Sequence, residues 1–118
     1  MLKILIAEDD RELRQLFSHV LTKHGYTVNG VSDGQQALDA MDSDYFDLLI
    51  CDIMMPVMDG IEALKLIKGD ENAKVIMITA AGQKEKMMEA LKYGAEDFLT
   101  KPFDEEEVIK RVAKAEAE

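Results

Sequence analysis

The sequence predicts an α/β domain, in which a parallel five-stranded sheet is covered by helices on both faces. Three observations carry this. Short apolar runs of strand length alternate along the chain with stretches whose apolar residues recur at helical spacing. The connections are short and hold Gly, Asp and Pro rather than a low-complexity linker. The strand-like runs are almost continuously apolar, as strands buried on both faces are. The 118 residues fit one domain, spanning 1–118.

The elements follow in order. Leu2 to Ala7 is a short strand-like run that ends in acids. From Arg11 to His24, Leu13, Leu16, Phe17, Val20 and Leu21 fall at helical spacing, and Gly25 supplies a stop. Tyr26 to Val31 alternates weakly and reads as an edge strand. Asp33-Gly34 opens a helix carrying Ala37, Leu38 and Met41, and Phe46 to Cys51 is the best candidate for a buried central strand. Asp59-Gly60 opens a helix with Ile61, Leu64 and Ile67 that ends near Gly69. Val75 to Ile78 is again a buried strand, Gln83 to Tyr93 a helix stopped by Gly94, and Asp97 to Thr100 a short strand. Asp104 begins a last helix through Val108, Ile109 and Val112, its acids complementing the helix dipole.

Composition excludes several function classes. Fourteen Lys and Arg against 24 Asp and Glu leave a formal charge of −10. That balance argues against nucleic-acid binding, which needs a basic footprint, and against an anionic membrane surface. No apolar run approaches the ~18 residues of a membrane span, and the first residues lack an export signal. The single cysteine, Cys51, forms no disulfide framework and reads as a small buried hydrophobe. A cytoplasmic location is expected. His19 and His24 stand roughly 140° apart around their helix and make no metal pair.

In open parallel sheets ligands bind beyond the carboxyl ends of the strands. There the sequence places Glu8, Asp9 and Asp10 after the first strand, Asp52 after the third, Thr79 after the fourth, and Lys101-Pro102 after the fifth. Taken singly, each has an ordinary explanation. Asp9 caps the first helix with Glu12 completing a capping box, or Asp10 does so instead. Asp52 is harder to dismiss, because it ends the most apolar run and no helix follows for it to cap before Pro56. Glu8, Asp9 and Asp52 become neighbours if the sheet order is 2-1-3-4-5, and do not in the order 3-2-1-4-5. Gathered carboxylates raise one another's pKa values, and a hard divalent cation relieves them. With the ammonium of Lys101 and the hydroxyl of Thr79 opposite, the set reads as a metal-assisted phosphoryl site with an Asp nucleophile.

Four motifs, Ile4-Leu5-Ile6-Ala7-Glu8-Asp9-Asp10, Asp52-Ile53-Met54-Met55-Pro56-Val57-Met58-Asp59-Gly60, Ile78-Thr79-Ala80 and Phe98-Leu99-Thr100-Lys101-Pro102-Phe103, stand in this order at the ends of strands 1, 3, 4 and 5. On these the sequence, from Leu2 to about Ala113, resembles the CheY-like receiver domain of bacterial two-component response regulators. The resemblance implies a flavodoxin-like fold with sheet order 2-1-3-4-5. It implies that Asp52 is the phosphoacceptor, taking a phosphoryl group from a sensor histidine kinase, a histidine phosphotransfer domain or a small phosphodonor. It implies Mg²⁺, or Mn²⁺, held by Glu8, Asp9, Asp52 and the backbone carbonyl of Met54. Thr79 and Lys101 would contact the phosphoryl oxygens. Thr79 and Phe98 would form the switch that alters the face of helix 4, strand 5 and helix 5 toward an effector domain or protein. A cis Lys101-Pro102 peptide is expected by the same analogy. The protein would be no conventional enzyme, catalysing only its own phosphotransfer and a slow loss of the group, because Met54 and Ala81 cannot orient an attacking water.

Other readings meet obstacles. A haloacid-dehalogenase-type phosphatase would need an Asp two residues after the nucleophile, where Met54 stands. A flavodoxin-like cofactor binder would need Gly, Ser and Thr donors where Glu8-Asp9-Asp10 would repel a phosphate. A phosphorylation-independent interaction domain has no need of both Asp52 and Lys101. Asp97 and Arg111 match one charged pair of the family's dimer face while Met87 and Lys92 break two others, so a monomer or a phosphorylation-dependent dimer is expected. Lys114 to Glu118 reads as a frayed helix end.

Overall fold

The structure, a computed structural model, describes residues 2–70 and 73–118. Strands β1 (Lys3–Ala7), β2 (Thr27–Val31), β3 (Leu48–Asp52), β4 (Lys74–Thr79) and β5 (Asp97–Thr100) alternate with helices α1 (Arg11–Lys23), α2 (Gly34–Ser43), α3 (Gly60–Asp70), α4 (Lys84–Lys92) and α5 (Glu105–Ala117). All pairings are parallel, in the order β2-β1-β3-β4-β5. This is the CheY-like flavodoxin fold, with β1 and β3 adjacent and β2 at an edge.

Side-chain alternation along each strand builds two cores. Ile4, Ile6, Leu48, Ile50, Ile76 and Ile78 face one way and pack with Phe17 and Leu21 of α1 and Val108 and Val112 of α5. Leu5, Ala7, Leu49, Cys51, Val75 and Met77 face the other way, against Ala37 and Met41 of α2, Leu64 and Ile67 of α3 and Ala90 of α4. Every residue of β3 is buried, which accounts for its continuous apolar run.

Differences from the sequence reading lie at element ends. Phe46 is buried in the core but precedes β3, because Asp47 is spent on β1. Its carboxylate accepts the Lys3 amide at 2.8 Å while its own amide donates to the Lys3 carbonyl at 2.8 Å. Asp10, not Asp9, caps α1, accepting the amides of Glu12 and Leu13 at 2.9 and 3.2 Å. Glu12 is therefore one position too early to close a capping box. The segment read as a frayed helix end is helical to Ala117 and anchored: the Lys74 ammonium donates to the Ala115 carbonyl at 2.6 Å and the Tyr26 hydroxyl to Glu116 at 3.1 Å. Among the described residues no helix is long and apolar enough to cross a membrane.

Candidate functional site

Buried polar side chains are costly unless paired, so they mark where the sequence serves something other than stability. Among the described residues, Glu8, Asp52 and Thr79 are the buried polar or charged ones, and all three sit at the carboxyl ends of β1, β3 and β4. Sheet register gathers them. Ala7 lies opposite Cys51, which brings the residues that follow, Glu8 and Asp52, side by side, and Asp52 lies opposite Ile78, one residue before Thr79. Asp9 is exposed at the rim, freed by the capping role of Asp10. Carboxylate oxygens of Glu8, Asp9 and Asp52 lie within 4.8 Å of one another.

The floor of the site needs a glycine. A Cβ on Gly60 would stand 2.1 Å from the Asp52 carbonyl oxygen, closer than atoms allow, and the Gly60 amide donates to the Ile53 carbonyl at 2.8 Å. Asp59 ahead of it accepts the Glu62 amide at 2.9 Å and caps α3. The Asp59-Gly60 pair thus seats the start of α3 against the end of β3.

Among the described residues one ammonium faces the cluster. Lys101 Nζ lies 3.0 Å from Asp52 Oδ2 and 3.6 Å from Glu8 Oε1. It follows β5, held by its amide on the Thr79 carbonyl at 2.7 Å and turned by a cis Lys101-Pro102 peptide, as anticipated. Asp52 Oδ1 accepts the Met54 amide at 3.1 Å, so Met54 belongs to the site through its backbone. Glu8 Oε2 accepts the Asp10 amide at 3.1 Å, whereas Glu8 Oε1 is buried without a hydrogen-bond partner. Burial first, then the neighbouring carboxylates of Asp52 and Asp9, push the Glu8 carboxyl up to about 8. Burial works to lower the Lys101 ammonium, but Asp52 and Glu8 outweigh it and raise its pKa. Three carboxylates against one ammonium, with an orphaned oxygen aimed among them, form an acidic cluster able to hold a metal ion.

Thr79 and Phe98 lie where the sequence placed them, on neighbouring strands: Thr79 ends β4, and Phe98, in β5 opposite Met77, is half-buried against the α2–α3–α4 core. Sequence reasoning passed over Thr100, whose hydroxyl receives that of Thr79 at 3.3 Å; its place one residue before Lys101 was the available signal. Cys51 is fully buried, and burial pushes its thiol up, which leaves it no nucleophilic part. Asp97 and Arg111 pair with each other within the chain at 2.8 Å.

A family model described as the response regulator receiver domain matches residues 4–113. The chain is 43% identical over 112 residues to the transcriptional regulatory protein CpxR of Escherichia coli K12, covering 95% of this chain and 48% of that protein. It is 38% identical over 112 residues to the response regulator ArlR of Staphylococcus aureus Mu50, covering 95% and 51%. The chain thus spans about half the length of the curated relatives it matches. Among solved structures, the chemotaxis response regulator CheY4 of Vibrio cholerae superposes with a TM-score of 0.91 at 34% identity, covering 98% of each chain.

Proposed function

This chain belongs to the response regulator receiver domain family of two-component systems, and from that premise we propose that it is a phosphorylation-dependent switch with Asp52 as the phosphoacceptor. The single observation that carries the reading is the pairing of a buried Asp52 with Lys101 at 3.0 Å inside a carboxylate cluster with an unsatisfied oxygen. A carboxylate oxygen of Asp52 forms a bond to phosphorus as the bond from phosphorus to a histidine nitrogen of a sensor kinase or phosphotransfer domain breaks. The histidine ring, protonated at its other nitrogen, takes the electron pair of that bond and leaves as neutral imidazole. A small acyl phosphate serves in the same way, with a carboxylate as leaving group.

Glu8, Asp9, Asp52 and the carbonyl of Met54 would hold Mg²⁺ or Mn²⁺, which supplies neutralisation of phosphoryl charge. Lys101 faces Asp52 and is placed to pair with a phosphoryl oxygen. Thr79 exchanges its bond to Thr100 for one to the phosphoryl group, drawing the β4–α4 connection toward Asp52 and giving Phe98 room to turn. The face of α4, β5 and α5 then favours a different state toward an effector domain or protein. The protein is no conventional enzyme on this reading. It acts in the cytoplasm, as a monomer or a phosphorylation-dependent dimer, without contacting nucleic acid or membrane through this domain.

The test is the intact mass of the protein after incubation with acetyl phosphate and Mg²⁺, beside Asp52→Asn. Gain of one phosphoryl group in the parent alone, abolished by EDTA, supports the reading. Equal labelling of the Asn variant, or none in the parent, overturns it.

A further inference from the structure

We propose that Arg14 is a positioning residue for the metal site, holding the backbone of Glu8 so that the consecutive carboxylates of Glu8 and Asp9 are set for the cation. This rests on the reading of the acidic cluster as a Mg²⁺ site. Arg14 projects from the first turns of α1, half-buried, and its Nη1 donates to the Glu8 carbonyl at 2.6 Å. The Glu8 amide is held as well, donating to the Val31 carbonyl at 3.1 Å. The Glu8 residue is therefore tied at both backbone polar groups, by β2 on one side and by a guanidinium on the other. Arg14 makes no ion pair with any carboxylate among the described residues, so its donors are free for this carbonyl.

Gly30 supplies an independent observation. It lies within β2 opposite Ile6, where glycine weakens a strand and commonly marks a close approach. Here the approaching group is Arg14: a Cβ on Gly30 would stand 3.1 and 3.2 Å from Arg14 Cδ and Cγ. The missing side chain of Gly30 is the bed in which the Arg14 stem lies on its way to Glu8. Partners that orient a metal ligand commonly change affinity by about 10- to 100-fold when removed.

A second cation near the cluster would repel Mg²⁺ if charge were its only effect, so the sign of the change discriminates. Mg²⁺ alone is titrated calorimetrically into the unphosphorylated protein, with Arg14→Met, Arg14→Lys, Gly30→Ala and the Arg14→Met/Gly30→Ala double variant compared, folding being checked by circular dichroism. Arg14→Met weakens Mg²⁺ binding about 10-fold, the low end of that range, and Arg14→Lys recovers part of the loss. Gly30→Ala weakens it in the parent and changes nothing once Arg14 is gone, the signature of a shared effect in a double-mutant cycle. Tighter or unchanged binding in Arg14→Met, or an equal Gly30→Ala effect in both backgrounds, overturns the assignment. Failure of the parent itself to bind Mg²⁺ overturns the metal-site reading, and this assignment with it.

Discussion

The Glu8 carboxyl carries a prediction whose sign is opposite to the usual carboxylate behaviour. In metal-free protein its pKa rises from 4.5 to about 8, chiefly through burial. Between those values the folded chain binds more protons at Glu8 than the unfolded chain, so Glu8 makes folding less favourable as pH rises through the window. The burden is absent below pH 4.5 and complete above about 8. Over the window from 4.5 to about 8, at ~1.36 kcal/mol per unit, the ceiling is about 5 kcal/mol. The facing groups are partly in water, Asp9 at the rim and Lys101 about a third exposed, which brings the expected cost to about 2–3 kcal/mol. Glu8→Gln keeps the shape and removes the charge. In EDTA, urea unfolding should find this variant more stable than the parent by about 2–3 kcal/mol at pH 8.5 and nearly equal to it at pH 5. Mg²⁺ should raise the parent's stability at the higher pH by mass action and the variant's far less. Equal parent–variant differences at the two pH values would refute the claim that burial of Glu8 burdens the metal-free fold.

Four further outcomes are expected. Lys101→Met leaves the buried Asp52 carboxylate without its ammonium, beside a Glu8 that is largely protonated at neutral pH, and should lower metal-free stability there by about 1–2 kcal/mol, less than a fully buried pair because Lys101 is partly solvated; urea midpoints in EDTA measure it. Val57 holds a left-handed φ of 68° while 82% exposed, so Val57→Gly should stabilise by about 1 kcal/mol with no packing lost, read from thermal unfolding. If Asp52 is phosphorylated as proposed, Met54, two residues after it, and Ala81, two residues after Thr79, offer no side chain to orient an attacking water, so the isolated phosphoprotein should lose its label slowly, over minutes or longer; loss within seconds, followed by mass spectrometry, would contradict this. Arg14→Met, by contrast, should leave the pH-dependent contrast between the parent and Glu8→Gln in place, since it acts on the backbone of Glu8 and not on the burial of its carboxyl.

How far the sequence spoke depends on what kind of signal each feature left. Strand and helix alternation survives in local periodicity, so β3, β4 and the helix caps Asp33 and Asp104 were readable. Strand ends were not, because Asp47 leaves the strand for a bond to Lys3, a residue 44 positions away. Asp9 and Asp10 are chemically alike and adjacent, and only the backbone conformation at Asp10 decides which one caps and which is left for the cluster. Proximity of Glu8 to Asp52 required the strand order, which the residues alone left as two alternatives and the family resemblance reduced to one. Arg14 and Thr100 escaped notice because their partners, a carbonyl and a hydroxyl on other elements, have no imprint in spacing. The last turn of α5 looked frayed because its anchors, Tyr26 and Lys74, lie far back in the chain.

Where the phosphoryl group goes decides whether Asp52 is the acceptor. Protein treated with acetyl phosphate and Mg²⁺ is reduced with borohydride, which converts an aspartyl phosphate to a homoserine, and is then digested with trypsin. The altered residue is expected at Asp52 within the peptide spanning residues 24–65 and nowhere else. Conversion at Asp9 or Asp59, or spread evenly over the exposed acids, would contradict it.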